Sequence, residues 1–159
     1  MTRRLNYTFL FVVFFAITSF GQSFSMSELI RMSNMNNDSF DTYVSSKGYV
    51  FIEEKNNKNN LGNTYALNPT YGSTVTSEKF ISLYSRYHNY LKAVTYQTID
   101  TKEYVRIKSQ VKALGFKLIK SSPETFDGYS SMMNVYRKGK AEITLFADKS
   151  YEITYTVDY

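Results

Sequence analysis

The sequence predicts an α+β fold laid out as a tandem repeat. Each copy is one helix followed by about four antiparallel strands, in two layers with the helices on one face of the sheet. Three observations lead there. Phe40–Glu54 (FDTYVSSKGYVFIEE) is echoed by Ile107–Ser121 (IKSQVKALGFKLIKS): Phe40, Val44, Gly48, Tyr49, Phe51 and Ile52 are answered at the same spacing by Ile107, Val111, Gly115, Phe116, Leu118 and Ile119. Ile81–Tyr84 (ISLY) then matches Ile143–Phe146 (ITLF), and Ala93–Gln97 (AVTYQ) matches Glu152–Thr156 (EITYT). Blocks recurring in one order point to a duplicated unit. Finally, a four-residue apolar step that ends in Gly gives way in each copy to a period of two, which is a helix handing over to a strand.

The chain opens MTRRLNYTFLFVVFFAITSFGQ. Arg3 and Arg4 precede an apolar run, Phe9–Ile17, and Ser19 and Gly21 supply small residues where a signal peptidase reads. The run is shorter than the ~20 residues a spanning helix needs. The expectation is a signal peptide at 1–21, a mature chain from Gln22 with no permanent membrane span, and a periplasmic or secreted location. Cysteine is absent, so no thiol can carry a lipid and no disulfide can staple the domain. About 138 residues remain after the leader, enough to bury roughly two-thirds of the unfolded surface without one.

Met26–Met35 predicts a short first helix. The first repeat, within 22–99, then has its helix through Phe40 and Val44, ended at Gly48 because the C′ residue needs positive φ. Lys55–Asn63 is read as the loop joining its first two strands and Asn68–Ser77 as the next. The second repeat, 100–159, starts at Asp100, an N-cap with Glu103 three residues later, and its corresponding loops are Ser121–Ser130 and Arg137–Lys140. Lys138-Gly139 and Asp148-Lys149 are turn signals of a closing β-meander. Alternation turns Tyr151, Ile153, Tyr155 and Val157 to one face with Ile143 and Leu145, and Glu152, Thr154, Thr156 and Asp158 to the other with Glu142, Thr144 and Phe146.

Function is less legible than fold. His88, the single histidine, sits in YSRYHNY (Tyr84–Tyr90). The repeat register puts it at the bend between the third and fourth strands, an exposed tip with no partner to orient a general base. An ordinary zinc site lacks its second histidine and all its cysteines. Glu53 and Glu54 are neighbours and face opposite sides of a strand, so they are no acid–base pair, and Asp127-Gly128 reads as a turn. Walker, nucleophile-elbow, HExxH, EF-hand and dinucleotide motifs are absent. The formal charge of +5 falls to +3 without Arg3 and Arg4, and the lysines are scattered among carboxylates, which argues against nucleic acid.

The segments FDTYVSSKGYVF, ISLYSRYHN, VTYQT and IKSQVKALGFKLIK resemble small exported proteins of Bacteroidota-type bacteria, a likeness that brings no catalytic residues. The doubled helix-plus-sheet plan resembles the β-lactamase inhibitor protein in architecture, which implies a concave binding sheet. That inhibitor's disulfides and helical start have no counterpart here. The reading is therefore a non-enzymatic interaction module without cofactor or metal, meeting a protein or envelope partner through its helix-free face. Its candidate residues are Ser82, Tyr84, Thr95, Gln97, Thr144, Phe146, Thr154 and Thr156, with Arg86, Tyr87, His88 and Tyr90 at the tip, since Tyr and Arg are favoured interface anchors. The alternative is a small-ligand or carbohydrate-binding protein with a tyrosine-lined site.

Overall fold

The computed structural model describes residues 23–56, 60–67, 69, 78–85, 91–126, 129–148 and 150–157, with the backbone alone at 56, 78–85, 126 and 129. Helix α1 (Met26–Met32) begins with a reciprocal cap. The Glu28 N–H donates to Ser25 Oγ (3.2 Å) and the Ser25 N–H donates to Glu28 Oε2 (2.9 Å). Helix α2 (Asn37–Ser46) starts at Asn36, whose side chain accepts from the Ser39 N–H at 2.8 Å. Four strands follow: β1 (Tyr49–Asn56), β2 (Asn60–Leu67), β3 (Glu78–Ser85) and β4 (Leu91–Thr98). Asp100 caps helix α3 (Thr101–Ala113), accepting from the Lys102 N–H at 2.8 Å. Four more strands close the chain: β5 (Lys117–Phe126), β6 (Tyr129–Lys138), β7 (Ala141–Ala147) and β8 (Tyr151–Val157).

All eight strands form one open antiparallel sheet, in the order β1-β2-β3-β4-β8-β7-β6-β5. The two meanders meet where β4 pairs with β8, so the halves share a continuous sheet. The helices cover one face. Phe24, Met26, Leu29 and Met32 around α1, Phe40 and Val44 on α2, and Tyr104, Ile107 and Val111 on α3 join Tyr49, Tyr65, Val94, Tyr96, Ile143, Leu145, Ile153 and Tyr155 of the sheet in one buried cluster. Tyr104 stacks on Tyr151 with ring centres 4.4 Å apart. No helix among the described residues is long and apolar enough to cross a membrane.

The register at the seam carries the most information. Thr95 pairs with Thr154, Ala93 with Thr156 and Gln97 with Glu152. Matching AVTYQ to EITYT sets Ala93 against Glu152 and Gln97 against Thr156, so exchanging the two halves returns the same ladder about a centre at Thr95 and Thr154. Away from the seam, Gly48 and Gly115 share φ values of +85° and +84°. Four residues on, β1 slips register between Phe51 and Glu53, and β5 between Leu118 and Lys120. Two equivalent glycines are thus followed by bulges at equivalent residues, Ile52 and Ile119.

Two expectations are corrected. ISLY and ITLF do not occupy equivalent places: Ile81 pairs with Thr95, whereas Thr144, not Ile143, pairs with Thr154. The ladder seats Phe80 between Tyr65 and Tyr96, and one residue of slip exchanges faces along a strand. Lys55–Asn63 is also mostly strand, since β1 runs to Asn56 and β2 starts at Asn60. In the second half β5 and β6 likewise extend to Phe126 and from Tyr129. β1 is exposed without alternation over residues 51–55 and β5 over residues 117–121, so polar residues suit both faces there and the period-two signal vanishes.

Candidate functional site

The face of the sheet away from the helices is built by alternation along β4, β8, β7 and β6. Val94, Tyr96, Ile153, Tyr155, Ile143 and Leu145 are buried beneath the helices, which leaves Thr95, Gln97, Glu152, Thr154, Thr156, Thr144 and Phe146 on the opposite side, all half-buried. In one row across the sheet Thr95, Thr154, Thr144 and Val135 are successive neighbours. Thr95 and Thr154 share a hydroxyl–hydroxyl bond of 2.9 Å at the centre of the register. The next row runs Gln97, Glu152, Phe146, Met133.

At the end of β7 the chain turns through Asp148 and Ser150, where the Asp148 N–H donates to the Ser150 carbonyl at 3.0 Å. Gln97 Nε2 reaches over from β4 and donates to Ser150 Oγ at 2.7 Å. These pieces frame a groove of about 440 Å³ lined by Thr144, Phe146, Asp148, Ser150, Glu152 and Thr154. Gln97 Oε1 is buried and has no hydrogen-bond partner among the described residues. Asp148 and Glu152 take part in none of the ion pairs among the described residues, which join Lys55–Glu53, Arg106–Glu103, Lys120–Glu124 and Arg137–Glu142.

Thr144, Phe146 and Thr154 from the sequence-predicted set thus come together in the groove, with Thr95 and Gln97 bonded to its wall. Thr156 lies one row away, between Ala93 and Glu142. Ser82 and Tyr84 were placed by sequence on the open face. Their register sets Ser82 opposite Asn63 and Val94, and Tyr84 opposite Leu61 and Leu91. Those partners stand on the helix side, where Val94, Leu91 and Asn63 are buried. It is Ile81 that the ladder puts beside Thr95, and the side chains of β3 lie outside the described residues. Arg86, Tyr87, His88 and Tyr90 lie outside them too.

Sequence reasoning missed Asp148, Ser150 and Glu152 as lining residues. Glu152 was legible, because it alternates with Thr154, while Asp148 and Ser150 looked like turn chemistry alone. A second feature also escaped notice. Glu103, 4% exposed, is not spent on helix capping. Its Oε1 accepts from the Phe24 N–H at 2.7 Å and its Oε2 from the Tyr96 hydroxyl at 2.8 Å. From the same face of α3, Arg106 donates to the Phe24 carbonyl at 2.6 Å and Gln110 accepts from the Met26 N–H at 2.7 Å. This clamp is structural, fixing the start of the described chain to α3.

Among the described residues no group of three or more His, Cys, Asp or Glu side chains is placed to hold a metal ion. The chain therefore stands at this point as an α+β protein with a grooved sheet face that no described element covers. No family model matches it, and neither a curated protein nor a solved structure matches it.

Proposed function

We propose that this protein is an exported, non-enzymatic binding module that meets a protein or envelope partner with the helix-free face of its sheet. The observation that carries the reading is the row Thr95–Thr154–Thr144 beside Phe146, half-buried and uncovered by any described element while the helices shield the opposite face. A rigid surface of hydroxyls with an aromatic anchor suits recognition more than chemistry, because among the described residues the lining hydroxyls of Ser150 and Thr154 bond to Gln97 and Thr95 rather than to a carboxylate that could act as their base. The leader-like 1–21 segment supports export. The shared glycine conformation, the equivalent bulges and the self-consistent register at the seam support descent of 22–99 and 100–159 from one duplicated unit.

The test is capture of partners from periplasm or culture fluid on immobilised protein. The control is a Thr144→Arg/Thr154→Arg variant with an unchanged circular dichroism spectrum. Partners enriched on the parent and absent from the variant are expected. Equal capture by both overturns the reading.

A small-ligand or carbohydrate reading stands second, favoured by the indentation itself. About 440 Å³ beside Phe146 is room for a ring to lie against an aromatic face. Its lining holds phenylalanine and carboxylates rather than the expected tyrosines.

A further inference from the structure

We infer that the groove between β7 and β8 receives a lysine or arginine side chain from an extended basic segment of a protein partner. The inference rests on the proposed use of the open face. It begins with a contrast among the strand carboxylates. Glu53, Glu124 and Glu142 each have a cation at hand, at 2.9, 3.4 and 2.7 Å. Glu152 has none among the described residues, and it lines the groove of this face together with Asp148. An exposed carboxylate can rely on water. Glu152, half-buried beside an aromatic ring with the exposed Asp148 at the rim, is better served by a cation that brings its own donors, because charge-assisted hydrogen bonds strengthen as water is excluded.

The rest of the lining agrees. Phe146 puts an aromatic ring in the lining, a group that attracts cations over its face. Thr144, Thr154 and Ser150 add hydroxyl acceptors, and Gln97 Oε1, buried and without a partner among the described residues, is a further acceptor behind Ser150. An acceptor-rich groove wants a donor-rich guest, and a guanidinium supplies five N–H groups with no acceptor. The volume of about 440 Å³ lies near the lower end for ligand pockets and fits one long side chain. Complementarity is local. The whole chain carries +5, so a basic guest gains nothing from the molecule at large and must be drawn by this spot. Lys79 pairs by register with Gln97, and Lys149 follows Asp148 in the sequence. Both side chains lie outside the described residues, and they are the cations that would compete with the guest.

The experiment is an amide-resolved NMR titration of the full mature chain with an end-blocked Gly-Ser-Arg-Ser-Arg-Ser-Gly peptide. Its citrulline counterpart, which keeps the shape and loses the charge, is run alongside. Shifts centred on residues 144–154 are expected with the arginine peptide and absent with citrulline. Both E152Q and D148N weaken the affinity at least tenfold. E124Q, which removes the same charge from a different strand, leaves it unchanged, and K149Q leaves it unchanged or tighter. The inference is overturned if the citrulline peptide binds equally, if the shifts centre elsewhere, or if K149Q weakens binding as E152Q does. Maltose shifting the same amides while the peptide does not also overturns it. Should partner capture depend on Thr154→Arg but not on E152Q, the face remains the binding surface and this assignment alone falls.

Discussion

At the scale of single residues, two buried polar groups govern stability. Tyr65, 1% exposed, is pushed up to about 12 by burial, with the Asp41 carboxylate adding to the effect. In the unfolded chain it ionises near its ordinary 10.0. Between those values the unfolded state binds fewer protons, so the contribution is whole below pH 10 and drains away as pH rises through the folded value. Each unit is worth about 1.4 kcal/mol. Tyr65→Phe should therefore flatten the alkaline limb of the urea-stability profile between pH 10 and 12 by about 2–3 kcal/mol; a limb of unchanged slope would refute the assignment. Glu103 is the second case. Truncating it to Ala removes the acceptor of the buried Phe24 N–H and of the Tyr96 hydroxyl, and takes from Arg106, 3.6 Å away, its ion-pair partner. A cost of about 3 kcal/mol in urea denaturation is expected, with Glu103→Gln costing less because Oε1 can still accept. The sequence offered Glu103 only as an N3 residue behind Asp100. Its true role could not be read there, because Phe24 lies 79 positions away and local spacing is silent about such contacts.

At the scale of elements, the signals that survived are those settled by local chemistry. Asp100 caps α3 as its position before the helix implied, and Gly48 and Gly115 end α2 and α3 with positive φ. Replacing either glycine by Ala should cost about 1–2 kcal/mol, the left-handed penalty of a Cβ. The added Cβ would meet only Leu67 Cδ1 at 3.6 Å or Lys138 Nζ at 3.8 Å, ordinary contacts, so backbone strain is the whole effect. The two losses should agree within about 0.5 kcal/mol, and Asn, which tolerates this conformation, should recover part of each. Widely different losses in chemical denaturation would mean that the two turns are not equivalent. Elements whose signal depends on a distant partner were not legible. β3 reads FISLY, in which either alternate set could face a core, so only the ladder through Phe80 decides its register. The distal parts of β1 and β5 were taken for loops because consecutive residues there are exposed on both faces, with Glu53 and Lys55 paired on one face of β1 and Glu54 alternating to the other. The groove was half legible for the same reason. Thr144, Phe146 and Thr154 follow from alternation, whereas Asp148 and Ser150 enter through the shape of a turn.

At the scale of the whole molecule, the pattern of repeats invites the idea of two small domains, and the packing argues the other way. β4 and β8 pair along the centre of one sheet, and α1 packs against both β4 and α3. The buried cluster runs through both halves without a break. Cutting the chain between Ile99 and Asp100 would turn β4 and β8 into bare edges. Val94, Tyr96, Ile153 and Tyr155 would lose their neighbours across the seam, and Phe24 would lose the α3 clamp. Each fragment keeps only part of that cluster, so the chain from Gln22 should unfold in one transition, with the calorimetric enthalpy equal to the van't Hoff enthalpy. The isolated 22–99 and 100–159 fragments should lack dispersed amide spectra and regain them only on mixing. If 100–159 alone gave a dispersed spectrum and a cooperative melt, the seam would be an interface between two finished domains, and the rigidity claimed for the open face would no longer follow.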